Sequence, residues 1–148
     1  MSSTFLSLSY HIVFATKGRL PLIKSEWRDR MHRYLGGAVS GLGGVPLAIG
    51  GVADHVHLLV GLRATHCLAD FMREVKRQSS VWVRDDLRIT GFFWQEGYSA
   101  FTVSPTALGG VRSYIETQDE HHRQRTFREE LIELLTRAGV EFDSKYLD

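Results

Sequence analysis

Two histidines at alternate positions form the most informative pattern in the chain. His55 and His57 enclose Val56 in the segment DHVHLLV, residues 54–60. Because side chains two residues apart on a β-strand point to the same face, we expect both imidazoles together while Val56 and Leu58 point into the core. Two adjacent imidazoles supply half of a metal site. The alternative is a pair of partly exposed histidines that bind no ligand.

A second polar group falls on a predicted helix late in the chain. Tyr114 and Gln118 are four residues apart and therefore share one helix face, with His121 and His122 near its continuation. Two polar side chains on one helix face are candidate functional residues. The alternative for the pair is a half-buried packing tyrosine and a surface glutamine.

Apolar periodicity predicts the elements that must position these residues. Strands are expected at residues 5–16, 45–52, 56–62 and 97–104, and helices at residues 25–40, 65–86, 111–123 and 126–138. The short turn between the second and third strands predicts an antiparallel hairpin. This order is that of an α+β, ferredoxin-like or RRM-like fold, a split βαβ antiparallel sheet with helices on one face. The last two helices are C-terminal additions to it.

Length and composition favour one globular domain spanning residues 1–148. The chain has one cysteine and a formal net charge of +1, and it has no apolar run of about 18 residues. We therefore expect no disulfide framework, membrane span or signal peptide, and a reducing, cytoplasmic location.

Residues 1–40 carry a net charge of +4 and residues 91–148 a net charge of −4. This asymmetry indicates either a cationic face for a polyanion or a chance imbalance.

Four motifs occur in a definite order along the chain. They are YHIVF leading into TKGR at residues 10–19, DHVHLL at residues 54–59, FWQEGY followed by AFTVS at residues 93–104, and YIETQ followed by EHH at residues 114–122. Together they resemble the single-tyrosine HUH transposases of bacterial insertion sequences, whose name denotes histidine, hydrophobic, histidine. The resemblance spans nearly the whole chain and departs from the family pattern at no catalytic position.

The resemblance implies a strand transferase that acts on DNA. Tyr114 would attack a phosphodiester in single-stranded DNA, giving a 5′-phosphotyrosine intermediate and a free 3′-hydroxyl, so that rejoining needs no ATP. A divalent ion, Mg²⁺ or Mn²⁺, would lie on His55, His57 and the amide oxygen of Gln118 and polarise the scissile phosphate. The resemblance further implies a homodimer with active sites shared between subunits, and a DNA substrate that carries hairpins. No general base is evident from the sequence.

Other residues are predicted to serve the DNA rather than the chemistry. The cations that could meet phosphates are Lys17, Arg19, Arg73, Lys76 and Arg77, each with a solvated surface charge as its alternative. Gly109 and Gly110 precede the predicted tyrosine helix. A hinge there would let Tyr114 move between two DNA strands, and a plain helix-start turn is the alternative.

Three other functions stay open at this point. One is a host-domesticated HUH nickase with the same chemistry in another role. A second is a non-catalytic ferredoxin-like nucleic-acid-binding module, for which exposed aromatic residues on the sheet are typical instead of paired histidines. A third is a metal-dependent hydrolase with a structural Tyr114, which would release its product without a protein adduct.

Overall fold

The computed structural model describes residues 3–122 and 125–147. The strands are β1 (Ser9–Ala15), β2 (Val45–Gly51), β3 (His55–Gly61) and β4 (Ser99–Thr102), which form one antiparallel sheet in the order β2-β3-β1-β4. The helices are α1 (Ser25–Gly41), α2 (Leu68–Asp85), α3 (Leu108–Glu116), α4 (Gln118–His121) and α5 (Phe127–Arg137). Short 3₁₀ turns lie at Lys17–Arg19, Pro105–Ala107 and Ser144–Tyr146. The predicted α+β, ferredoxin-like fold and its β2-β3 hairpin are confirmed.

One face of the sheet packs against α1 and α2. Every second residue of the two central strands enters this core: Ile12 and Phe14 from β1, and Val56, Leu58 and Val60 from β3. The helices bury apolar residues at spacings of three and four, as an amphipathic helix must. This layer is the one that the sequence pattern predicts.

The C-terminal helices cover the opposite face of the sheet. Helix α3 lies so close to β2 that a Cβ atom at Gly50 would be 2.1 Å from the carbonyl oxygen of Ile115. Helix α5 packs Phe127, Leu131 and Leu135 against Val13 and Ala15 of β1. Both faces of the sheet are therefore covered, because the C-terminal helices occupy the side that α1 and α2 leave open.

Helix α3 differs from its prediction at both ends. It begins at Leu108, so Gly109 and Gly110 lie inside its first turn rather than in front of it. It ends at Glu116, because Thr117 leaves the helical region with φ −113° and ψ 30°. The Thr117 hydroxyl donates to the carbonyl of Ser113 at 2.9 Å, which is a bond that commonly bends helices. The predicted single helix 111–123 is therefore two helices up to His121, and residue 123 lies outside the described residues.

Other boundaries differ from the predictions by a few residues. Strands β1 and β4 are shorter than expected, and α2 begins at Leu68 rather than near Thr65. The start of α5 agrees with its prediction, because Thr126 caps the helix in a reciprocal capping box with Glu129. Within residues 3–122 and 125–147, no helix is both long and apolar enough to cross a membrane.

Candidate active site

The two histidines of β3 lie on the face that the C-terminal helices cover. His55 and His57 are both fully buried, and their ring centroids are 5.1 Å apart. Val56 and Leu58 point into the apolar core on the other side. The prediction from strand alternation is therefore confirmed in the fold.

Each of these imidazoles is held by a partner at its Nδ1 atom. His55 Nδ1 lies 2.8 Å from Asp54 Oδ1, and His57 Nδ1 lies 2.7 Å from His11 Nε2 on the neighbouring strand β1. Partners of this kind fix the orientation of metal-binding histidines and raise their basicity. Both Nε2 atoms are consequently directed toward one point beneath α4 and α5.

Three further side chains meet at that point. Gln118 Oε1 is 3.2 Å from His55 Nε2 and 3.1 Å from His122 Nε2. Glu130 Oε1 is 3.1 Å from His57 Nε2, 3.1 Å from His122 Nε2 and 3.3 Å from His55 Nε2. Ligand atoms around an ion with bonds of about 2.1 Å are separated by about 3 Å. Of these groups, His55, His122 and Glu130 offer ligand atoms that all lie within 4.8 Å of one another, close enough to hold one metal ion. Gln118 Oε1 adjoins this trio through His55 and His122, and His57 Nε2 adjoins it through Glu130.

The cluster combines the Glu130 carboxylate with one imidazole whose pKa is raised and another whose pKa is lowered. Burial alone would favour the neutral acid, but hydrogen bonds from His122, His55 and His57 hold the pKa of Glu130 well below its usual range. Burial also opposes a charge on His55, yet hydrogen bonds to Asp54 and Glu130 raise the pKa of His55 above its usual value. Burial lowers the pKa of His57 to about 4, so this imidazole is neutral at pH 7. A buried anionic oxygen among imidazole nitrogens is an environment that suits a divalent cation.

Tyr114 lies at the edge of the cluster. Its hydroxyl donates a hydrogen bond to Glu130 Oε2, and Arg125 Nη2 donates to the same hydroxyl at 3.3 Å. The Tyr114 ring is 5.8 Å from that of His57. Burial and the bond to Glu130 raise the pKa of Tyr114, while Arg125 acts in the opposite direction. The four residues predicted to bind metal or attack DNA, Tyr114, His55, His57 and Gln118, thus lie close together in a single chain.

Two residues of the cluster were missed by sequence reasoning. Glu130 is fully buried although it is charged, and it lies on the apolar side of α5 between Phe127 and Leu131. A carboxylate on the apolar stripe of an amphipathic helix is the signal that could have found it. Arg125 lies in the connection before α5 and follows no periodic pattern that would single it out.

The predicted DNA contact Lys76 has partners within the protein. Its ammonium group donates to the carbonyls of Gln95, Glu96 and Gly97 at 2.7, 3.0 and 2.7 Å. An ammonium has three protons, so all of them are used here. Burial lowers the pKa of Lys76 to about 8. In this conformation Lys76 fixes the loop that precedes β4.

Arg73 and Arg77 are exposed on α2, each in an ion pair one turn along the helix. Arg73 Nη2 lies 3.0 Å from Asp70 Oδ1, and Arg77 Nε lies 2.7 Å from Glu74 Oε2. Exposed pairs of this kind are weak and exchange readily with other anions. Helix α2 packs on the face of the sheet opposite His55 and His57, so the structure separates these arginines from the cluster.

Lys17 and Arg19 belong to the 3₁₀ turn that follows β1. The Lys17 ammonium lies 5.7 Å from the centroid of the Phe93 ring, and that ring is 59% exposed. An exposed ring beside a cation suits stacking on a base next to a phosphate. Arg19 has a positive φ of 53°.

The ferredoxin-like sheet, its HUH strand and the one adjacent tyrosine together are typical of a class of transposases. The family model described as "Transposase IS200 like" matches residues 4–118, and the chain belongs to this family. No curated protein gives a significant match.

Two solved structures resemble this chain. A proposed transposase from Deinococcus radiodurans R1 has 27% sequence identity and a TM-score of 0.64, with 80% of this chain and 95% of that chain covered. A REP-associated tyrosine transposase bound to a REP hairpin has 13% identity and a TM-score of 0.55, with 78% of this chain and 68% of that chain covered, which is a likeness of fold.

The family match ends inside the candidate site, because its last residue is Gln118. His122, Arg125 and Glu130 therefore come from the segment beyond the matched region, although they contact residues inside it. The C-terminal segment of this chain contributes directly to the cluster.

Proposed function

We propose that this transposase cleaves and rejoins single-stranded DNA at the ends of an insertion sequence through a phosphotyrosine on Tyr114. One observation carries the proposal. The Tyr114 hydroxyl and the Nε2 atoms of His55 and His57 contact the two oxygens of the same carboxylate, Glu130. The nucleophile and the proposed metal ligands thus adjoin the two oxygens of one carboxylate, which brings together the groups that must contact the same scissile phosphate.

The chemistry is a transfer between two oxygens at one phosphorus. The Tyr114 hydroxyl loses its proton, its oxygen bonds to the phosphorus, and the bond from phosphorus to the 3′ oxygen breaks. The leaving oxygen takes up a proton to become a 3′-hydroxyl, so that protons balance. The phosphotyrosine retains the free energy of the phosphodiester, and a 3′-hydroxyl from another end can reverse the reaction.

We propose that a divalent ion binds at His55, His57 and Gln118, with His122 and Glu130 as additional ligands. When bound, this ion supplies a Lewis acid that polarises the scissile phosphate. Three imidazole nitrogens favour a transition metal, whereas Mg²⁺ prefers oxygen ligands. Of the two expected ions, Mn²⁺ is therefore the better fit.

The proposed substrate is single-stranded DNA that carries a hairpin. The structural relative bound to a REP hairpin supports this choice by its fold. Lys17, Arg19, Arg73 and Arg77 are proposed to contact phosphates outside the cluster. The proposed location is the cytoplasm, where such DNA is accessible in a bacterial cell.

The test of the proposed function is a covalent adduct. Purified protein would be mixed with single-stranded DNA from both flanks of its gene and with Mn²⁺, and the products would be separated on a denaturing gel. We expect an adduct that is lost in Tyr114→Phe, in His57→Ala and without metal. Tyr146→Phe is the matched control, because Tyr146 is a phenol that is 77% exposed. Cleavage without an adduct would indicate the hydrolase, and binding alone would indicate the non-catalytic module.

A homodimer with shared active sites is a separate proposal. It rests on the family resemblance, since one chain by itself places Tyr114 beside the histidines. Mixing Tyr114→Phe with His57→Ala protein tests it, because exchanged tyrosine helices would rebuild one intact site in a mixed dimer. Recovery of adduct in the mixture would support sharing, whereas no recovery would show that each chain uses its own tyrosine.

A further inference from the structure

A cavity of about 300 Å³ opens beside the Tyr114 side chain. Its lining includes Tyr114, His11 and two guanidinium groups, those of Arg125 and Arg137, together with the Glu133 carboxylate. Glu133 offsets one of the two positive charges, so these three ionised groups leave a net charge of +1. This volume and charge suit a nucleotide-sized group with one phosphodiester.

Arg125 is held in a defined orientation within this cavity. Its Nη1 atom is paired with Glu133 Oε2, and the other oxygen of Glu133 is paired with Arg137 Nη2 at 2.8 Å. The Nη2 atom of Arg125 is thereby left to face the Tyr114 hydroxyl at 3.3 Å. A guanidinium is a planar fork whose geometry matches phosphate oxygens, and here it is anchored on one side only.

Arg125 also lines a second and larger cavity. This one has a volume of about 510 Å³ and includes Asp54 and His122 in its lining. The first cavity reaches the nucleophile, and the second reaches the edge of the metal ligands. Among the residues that the structure describes, Arg125 is the one that the linings of these two cavities share.

We infer that Arg125 is a catalytic residue that binds the non-bridging oxygens of the scissile phosphate, and that Glu133 is its positioning residue. This inference rests on the proposed function, because it assigns a group to the same transfer step. In that step the bond from the Tyr114 oxygen to phosphorus forms and the bond to the 3′ oxygen breaks, while Arg125 keeps its protons and donates hydrogen bonds. Negative charge grows on the non-bridging oxygens during the attack, so a fixed donor there stabilises the transition state more than the ground state.

The experiment compares charged and uncharged scissile phosphates. Single-turnover adduct formation would be measured for wild type, Arg125→Ala and Arg125→Lys with Mn²⁺, on DNA with a normal phosphate and on DNA with a methylphosphonate at the cleavage position. We expect Arg125→Ala to lose about 10²–10³-fold on the normal substrate, which is the typical effect of removing one transition-state donor. On the methylphosphonate the loss should shrink below about tenfold, because the charge that Arg125 serves is reduced. Arg125→Lys should recover part of the rate on the normal substrate.

Two further variants separate this role from a structural one. Glu133→Gln should reduce adduct formation on the normal substrate and less so on the methylphosphonate. Arg84→Ala is the matched control, because Arg84 is an exposed arginine paired with Asp85 on α2 and should behave as wild type. A Mn²⁺-dependent rise in Tm that Arg125→Ala retains would show that its fold and metal ligands are intact.

The outcomes distinguish this inference from the proposed function. Equal losses on both substrates, or adduct formation within twofold of wild type in Arg125→Ala, would overturn the role of Arg125 alone. Absence of any adduct in wild type with either metal would overturn the proposed function, and the inference with it.

Discussion

The two faces of the central strands are equally buried but differ in polarity. One face carries Ile12, Phe14, Val56, Leu58 and Val60, and the other carries His11, His55 and His57 beside Val13 and Ala15; none of these is more than 4% exposed. The apolar face is stabilised by removal of hydrocarbon from water. The polar face tolerates burial because His55 and His57 have partners at both ring nitrogens and His11 at its Nε2. Strand alternation therefore assigns stability to one layer and chemistry to the other.

The largest expected effect separates these two layers directly. His57→Ala should reduce adduct formation by about 10³-fold or more, which is the effect of removing one member of a catalytic unit, because the variant loses a proposed metal ligand. Leu58→Ala, one residue away, should lower the free energy of unfolding by about 2–5 kcal/mol and leave the adduct rate of the folded protein near wild type. Single-turnover adduct rates and urea unfolding would measure both. A Leu58→Ala protein that is folded but inactive would contradict the separation.

The second effect concerns the contact that places Tyr114 over the sheet. Because the new Cβ of Gly50→Ala would lie 2.1 Å from a backbone oxygen of α3, that helix must shift. We expect about 3 kcal/mol of destabilisation and an adduct rate at least about 10²-fold lower. Gly37→Ala is the control, because a Cβ there meets nothing within 4 Å and the site lies inside α1. It should stabilise the protein by about 0.5–1 kcal/mol. Similar behaviour of the two variants in unfolding and in adduct assays would refute the tight packing of α3.

The layer that the sequence predicts best is the one built from local periodicity. Alternation placed His55 and His57 on one face, and spacings of three and four identified the buried sides of α1 and α2, since these patterns depend only on neighbours along the chain. The placement of α5 could not be predicted in this way. Its position over β1 depends on contacts between residues more than a hundred positions apart, such as Ala15 and Leu131.

The cluster likewise combines residues that local spacing predicts with residues that only long-range contacts bring in. Tyr114 and Gln118 were identified from a helical spacing of four, although Thr117 interrupts that helix between them. Glu130 joins His57 across 73 residues, and no local pattern links these two positions. A cluster drawn from β3, α4 and α5 is therefore only partly predictable from the sequence, because tertiary packing brings in the remaining polar side chains.

The third effect tests the half-buried charge of Lys76 at the edge of the apolar layer. Lys76→Met would leave the carbonyls of residues 95–97 without their donor, so we expect a loss of about 1–2 kcal/mol in urea unfolding. Arg77→Met, on the same helix, removes only an exposed ion pair and should leave urea unfolding close to that of wild type. Equal effects of the two substitutions would mean that Lys76 does not anchor the loop.

The smallest effect addresses the predicted hinge at Gly109 and Gly110. Both glycines lie in the first turn of α3, and a Cβ at either one meets nothing within 4 Å. Alanine favours a helix over glycine, so the double variant Gly109→Ala/Gly110→Ala should raise the free energy of unfolding by about 0.5–1 kcal/mol. If α3 must unwind here to carry Tyr114 between two DNA ends, the stiffer turn should slow rejoining and leave the first cleavage unchanged. Measuring both steps on the same gel separates them, and an unchanged rejoining rate would identify these glycines as an ordinary helix start.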